Sequence, residues 1–170
     1  MKRLVIVALL AVAFTGTTIA QKFAFVDSDY ILKNIPSYNA AQDELNKMSE
    51  NWEAEIKDEY EAIEEMYKSY KAERVLLSEE MREKREQEII AKEKSAKELQ
   101  QKYFGAEGDL FKKREELVQP IQDAVYKAVK EMTAEGGYAI IFDTASGASI
   151  LYSNPRFDKS DEILEKLGYK

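Results

Sequence analysis

The chain has 170 residues, 25 basic and 32 acidic, with a formal net charge of −7 at pH 7. That acidic balance excludes the dense phosphate neutralisation of a general nucleic-acid binder. Cysteine and histidine are both absent, which removes disulfides, thiol chemistry, the commonest general base and the commonest zinc ligand.

Met1-Lys2-Arg3 is a basic start, followed by an apolar run of 11 residues from Leu4 to Phe14. Thr15 to Ala20 is small and weakly polar, with Thr18 and Ala20 at the positions signal peptidase reads. This order predicts a secretory signal peptide over 1–20, cleaved after Ala20. The run is shorter than the ~20 residues a transmembrane helix needs. Gln21 follows, and without cysteine bacterial lipidation is excluded. The expected mature chain, Gln21 to Lys170, keeps 150 residues with 23 basic and 32 acidic side chains. About half of it is charged and helix-like, which limits the core one chain can build, and oligomerisation is the usual remedy.

Phe23-Ala24-Phe25-Val26-Asp27 is short, apolar and aromatic and predicts a strand ending at an aspartate. Ser28 to Ile35 places Tyr30, Ile31, Leu32 and Ile35 on one helical face, capped by Asp27 or Ser28. Pro36 interrupts it and is well placed to start the next helix. Between Pro36 and Gly105 there is no proline or glycine.

The first long helix carries Tyr38, Ala41, Leu45, Met48, Trp52, Ile56, Tyr60, Ile63, Tyr67 and Tyr70 at steps of three and four. That is a narrow coiled-coil seam with charged flanks, which packs on another helix. Val75-Leu76-Leu77 breaks the spacing, and Ser78 before Glu79-Glu80 is a helix start signal. A tight turn over 74–78 and a second helix from Glu79 to about Glu135 follow. A hairpin folded there sets Tyr38 opposite roughly Glu116 and Trp52 opposite Lys102. An arm of about 38 residues projects ~57 Å.

Gly105 and Gly108 interrupt the returning helix, each costing about 1 kcal/mol against alanine. Two readings stand: small residues making room for Trp52, or a hinge. Pro120 is expected to kink the helix where it re-enters the body. Beyond it, Ile121, Ala124, Val125, Ala128, Val129 and Met132 form a broad apolar face. Gly136-Gly137 ends this helix. Tyr138 to Asp143 predicts a strand buried on both faces, Thr144 to Ala148 a turn, and Ser149 to Ser153 its hairpin partner. Asp161 to Leu167 is a closing helix with Ile163, Leu164 and Leu167 inward and Gly168 at its end. The fold class is therefore α+β: a small β body with a long antiparallel coiled-coil helical hairpin. The body comprises 21–36 and 118–170, and the hairpin 37–117 with its tip near 74–78.

The two ends resemble the Skp/OmpH family of periplasmic chaperones. The likeness lies in Phe25-Val26-Asp27-Ser28-Asp29-Tyr30-Ile31-Leu32-Lys33-Asn34-Ile35-Pro36-Ser37-Tyr38 with Ala41 and Leu45, in Gly137-Tyr138-Ala139-Ile140-Ile141-Phe142-Asp143 with Ile150-Leu151-Tyr152, and in Asp158 to Gly168. The resemblance implies a homotrimer whose strands build a small central barrel. Phe23, Phe25, Val26, Ile140, Ile141, Phe142, Ile150, Leu151 and Tyr152 would form that trimer body. It also implies three hanging arms that hold unfolded outer-membrane β-barrel proteins in the periplasm, without ATP or another cofactor. The best-known members are basic, whereas this chain is acidic.

Charge is uneven along the arm. Glu50 to Glu65 holds eight acids and one lysine, whereas Lys68 to Lys97 holds nine basic and seven acidic residues. The outer half suits either an ordinary solvated coiled coil or the steering of acidic clients or lipid head groups. Its candidate client-binding residues are Met66, Tyr67, Tyr70, Val75, Leu76, Leu77 and Met81, with Lys68, Lys71, Arg74, Arg82, Lys84 and Arg85. Methionine is adaptable and tyrosine offers apolar area with a polar edge, although the same residues also suit zipping the two helices together. Asp27 and Asp29, with Asp143 or Asp158, resemble a metal set only loosely, and helix capping explains them as well. No residue set suggests catalysis. The functional readings are a holdase chaperone or, alternatively, an envelope coiled-coil adaptor for a folded partner.

Overall fold

The computed structural model describes residues 21–147 and 150–170. The expected signal peptide, 1–20, lies outside the described residues, as do Ala148 and Ser149 of the expected last turn and strand.

The elements run β1 (Lys22–Val26), α1 (Ser28–Lys33), α2 (Pro36–Glu73), α3 (Glu79–Phe104), α4 (Asp109–Gly136), β2 (Tyr138–Asp143), a short 3-10 turn (Pro155–Phe157) and α5 (Ser160–Lys166). β1 and β2 pair in parallel, with Phe23 beside Ile140, Phe25 beside Phe142 and Val26 beside Asp143. Parallel strands require a long crossover. Here that crossover is the whole helical arm.

Local chemistry sets each boundary. The Asp27 carboxylate caps α1 by accepting from the Tyr30 N–H at 2.9 Å. Pro36 opens α2, where its missing N–H is no loss. α2 then runs 38 residues, or ~57 Å at 1.5 Å per residue. The Ser78 hydroxyl caps α3 by accepting from the Met81 N–H at 3.3 Å. The turn thus falls where the sequence signals place it.

The core of the body joins both ends of the chain. Val26, Ile31, Ile35, Val125, Ala128, Met132, Ile163 and Leu164 form one buried cluster. The buried Ser160 hydroxyl accepts from the Asp27 N–H at 2.8 Å and donates to Asp158 Oδ1 at 2.6 Å. A second, smaller cluster of Ala41, Leu45 and Val118 fastens the root of the arm.

Four expectations need correction. The returning helix is not continuous: it breaks between Phe104 and Asp109. The glycines there do not make room for Trp52. A Cβ on Gly105 would lie 2.3 Å from the Gln101 carbonyl oxygen, and one on Gly108 2.7 Å from that of Tyr103. They allow the backbone to leave and re-enter a helix against its own preceding turn. Pro120 lies inside α4, which runs from Asp109 to Gly136, and its expected kink is not among these corrections.

The third expected strand is absent among the described residues, since Ile150 to Asn154 pair with nothing. The Thr144 N–H and hydroxyl both donate to the Val26 carbonyl, at 2.8 and 3.2 Å, and pull the chain toward β1 after β2. The outer edge of β1 is met instead by Lys159, whose N–H donates to the Phe25 carbonyl at 2.8 Å. Finally, β2 is not buried on both faces: Ile140 is 48% and Phe142 39% exposed. The core cluster packs on the face that carries Val26 and Ile141.

Candidate functional site

Two surfaces stand out, the arm and the bare face of the sheet. The arm is zipped by a thin line of buried residues: Ile56 and Ile63 from α2, and Ile89, Ala96 and Tyr103 from α3. Polar bridges from tyrosine hydroxyls supplement that line. Tyr67 donates to Glu93 at 3.1 Å, Tyr103 to Glu55 at 2.9 Å, and Tyr70 to Glu86. Bonding to these carboxylates, with a smaller contribution from burial, raises all three phenol pKa values, because a phenolate would face an anion. Lys92 pairs with Glu59 across the same seam, and Arg85 with Glu73 at 3.8 Å.

This geometry divides the candidate client residues. Tyr67 and Tyr70 spend their hydroxyls on α3. Met66 and Leu77 are half-buried. Val75, Leu76 and Met81 are 86%, 87% and 53% exposed. Lys68 pairs with Glu64 and Glu65 on its own helix, at 3.2 and 2.9 Å. Arg82 pairs with Glu79 at 3.1 Å and donates to the Arg74 carbonyl at 3.0 Å. Lys71, Arg74 and Lys84 have no ion pair among the described residues. Ile90, 53% exposed, was not singled out from sequence. Its neighbour Ile89 turns into the seam, and the adjacent pair of isoleucines was the available signal.

The sheet presents the second surface. Alternation along the strands puts Phe23, Phe25, Ile140 and Phe142 on one face. Phe23 and Phe25 lie 6.4 and 5.7 Å from Phe142 by ring centroids. Phe23 is 43% exposed, and beyond the sheet Leu151 and Tyr152 are bare. Val26 and Ile141 lie on the opposite face and pack in the chain's own core. Tyr126, 71% exposed on α4, adds to the apolar surface and was not flagged from sequence.

The aspartates act as caps. Asp143 accepts from the Ser28 N–H at 3.1 Å and its hydroxyl at 2.7 Å, and Asp158 accepts from the Ser160 N–H at 2.9 Å. Among the described residues no cluster of acidic, histidine or cysteine side chains has the geometry of a metal site.

Residues 22–167 match the model of the family described as outer membrane protein (OmpH-like). The chain belongs to the OmpH-like family. A relative from Aquifex aeolicus (strain VF5), described as an uncharacterized protein, is 28% identical over 152 residues, covering 89% of each chain. Among solved structures, a Caulobacter crescentus protein described as a candidate OmpH-like outer membrane chaperone superposes with a TM-score of 0.68. That match covers 91% of this chain and 89% of the other at 14% identity, so it establishes the OmpH-like fold. The mostly helical hairpin on a small two-stranded sheet is consistent with membership of that family.

Proposed function

We propose that this OmpH-like protein is an ATP-independent periplasmic holdase that encloses unfolded outer-membrane β-barrel proteins and prevents their aggregation. It reaches the periplasm through the signal peptide expected over 1–20, and it works as a homotrimer. Residues 21–36 and 118–170 form the trimerisation body, and 37–117 form one arm per chain.

The observation that carries this reading is the imbalance within one chain. The two-stranded sheet leaves Phe23, Ile140 and Phe142 partly bare, and Leu151 and Tyr152 beyond it are more exposed still. Two strands are too few for an independent sheet, and an apolar patch of this kind calls for a partner. Copies of the chain supply one if their sheet faces and Ile150–Tyr152 segments pack together. The arm, in turn, has length and surface but little core, which suits many weak contacts with an unfolded chain.

The test is the mass of the purified protein alone and with a urea-unfolded β-barrel protein diluted into buffer. The expected species are a trimer and a trimer with one client, with client aggregation suppressed. A stable monomer at micromolar concentration sinks the cage. Capture of a folded partner without suppression of aggregation replaces the holdase with an envelope adaptor.

A further inference from the structure

The expected cleavage after Ala20 leaves Gln21 as the first residue of the mature chain. β1 begins one residue later, at Lys22, and its pairing starts there with Tyr138. Gln21 is exposed and belongs to no element. Nothing in the ladder therefore fixes its backbone, and its side chain can turn back on its own α-amine. Closure of that pair of groups gives a five-membered lactam, a reaction built into an N-terminal glutamine.

The surroundings favour the closure. Gln21 lines one open cavity with Lys22, Arg156 and Lys159, beside the rings of Phe23, Phe157 and Tyr138. No carboxylate lines that cavity. Lys159 is offset by its pair with Glu162 behind it. Lys22 donates to the Gly136 carbonyl at 3.2 Å, which leaves its charge unbalanced, and Arg156 forms no ion pair among the described residues. An α-amine titrates at about 7.7–8.0. Two unbalanced cations beside it disfavour the ammonium form. The attacking species is the neutral amine, so the cavity enlarges the reactive fraction at neutral pH. The product also suits its place. An ammonium at the margin of an apolar sheet face is costly once that face is covered, whereas a lactam carries no charge.

We propose that Gln21 is a modification site: the mature chain begins with a pyroglutamyl lactam, and Lys22 and Arg156 promote its closure. The α-nitrogen bonds to Cδ, the Cδ–Nε2 bond breaks, and Nε2 leaves as ammonia with a proton from the amine. No carbon changes oxidation state and no co-reactant is consumed. The lactam starts β1 without a charge and leaves no free amine for an aminopeptidase. The inference rests on the signal peptide in the functional reading above, and on neither its holdase nor its trimer part.

The experiment exports the full chain, residues 1–170, into a bacterial periplasm and sequences the N-terminal peptide of the purified product by tandem mass spectrometry. The peptide should begin at Gln21, weigh one ammonia less than its unmodified form and be blocked to stepwise N-terminal degradation. A peptide beginning elsewhere overturns the cleavage reading and the proposal together. One that begins at Gln21 and keeps its ammonia overturns the proposal alone.

A kinetic arm tests the cavity. The mature chain is released at Gln21 from a cleavable tag, and its loss of ammonia is followed by intact mass. Lys22→Gln with Arg156→Gln should slow the loss about twofold at pH 7. At pH 10, where the amine is neutral in both proteins, the two rates should agree. Equal rates at pH 7 overturn the part given to the cations. A slowing that persists at pH 10 overturns it as well, since local geometry and not charge then sets the rate.

Discussion

Trp52 of α2 lies flat on Tyr103 of α3, with ring centroids 4.6 Å apart and planes 7° from parallel. Phe104 meets the same indole edge-on at 6.3 Å. The stack occupies the last turn of α3 before the break at Gly105. It therefore fixes the position at which the returning helix leaves its axis.

Trp52→Ala should destabilise the arm by about 2–3 kcal/mol, since it removes a large half-buried aromatic and its stacking partner's contact. Amide exchange checks this. Protection should fall along the middle of α2 and the end of α3. Amides of the body around Ile31 and Leu164 should keep theirs, because Trp52 and its partners Tyr103 and Phe104 belong to neither buried cluster of the body and arm root. Uniform loss of protection across the chain contradicts an arm that stabilises separately.

Gly108→Ala probes the break directly. In a regular helix alanine is favoured over glycine by about 1 kcal/mol. Here a Cβ would meet backbone atoms at 2.7, 2.8 and 2.9 Å, none of which moves without shifting the chain. The expected result is a lower melting temperature. A higher one means that the continuous helix is accessible and that the glycines serve as a hinge.

The body and the arm were legible to different degrees. Seam spacing, Pro36 and the Ser78-Glu79-Glu80 signal located the long helix and its turn, because capping and periodicity are local. The tyrosines on that seam were read as apolar, yet Tyr67 and Tyr70 work through their hydroxyls to Glu93 and Glu86. Nothing in a 3.6-residue period distinguishes those roles. The Ile150-Leu151-Tyr152 run has strand character but no strand in one chain, because the hydrogen bonds of Thr144 to Val26 turn it away from β2. Such a tertiary contact, across 118 residues, is invisible to local pattern. The candidate client residues were readable as a group, whereas their division into zipped and exposed members required the structure.

Alkaline titration should unzip the arm. The phenols of Tyr67, Tyr70 and Tyr103 are raised above the ordinary value of 10.0, first by bonding to Glu93, Glu86 and Glu55. In the unfolded arm they ionise at the ordinary value, and in the folded arm at a higher one. Their contribution is thus complete below pH ~10 and is lost as pH rises through the folded values. Helicity at 222 nm measured at fixed temperature should fall more steeply above pH 10 than in a Tyr67→Phe, Tyr70→Phe, Tyr103→Phe variant. Equal slopes mean that the hydroxyl bridges contribute nothing to holding the helices together.

Phe142→Asp tests assembly without touching the chain's own core. Phe142 lies on the sheet face opposite Val26 and Ile141, stacked with Phe25 at 5.7 Å and 39% exposed. In a single chain a carboxylate there reaches water and leaves the buried cluster around Ile31 and Leu164 intact. In a trimer packed through this face, three carboxylates would share a small apolar interior, where unpaired charge is strongly unfavourable. The variant should sediment as a folded monomer with helical content close to that of the parent. Leu164→Ala is the contrasting change. It opens a cavity within the chain and should cost about 2–5 kcal/mol of folding stability. An unaltered mass for Phe142→Asp removes the sheet face from the interface and moves assembly to Tyr126 or the Leu151–Tyr152 segment.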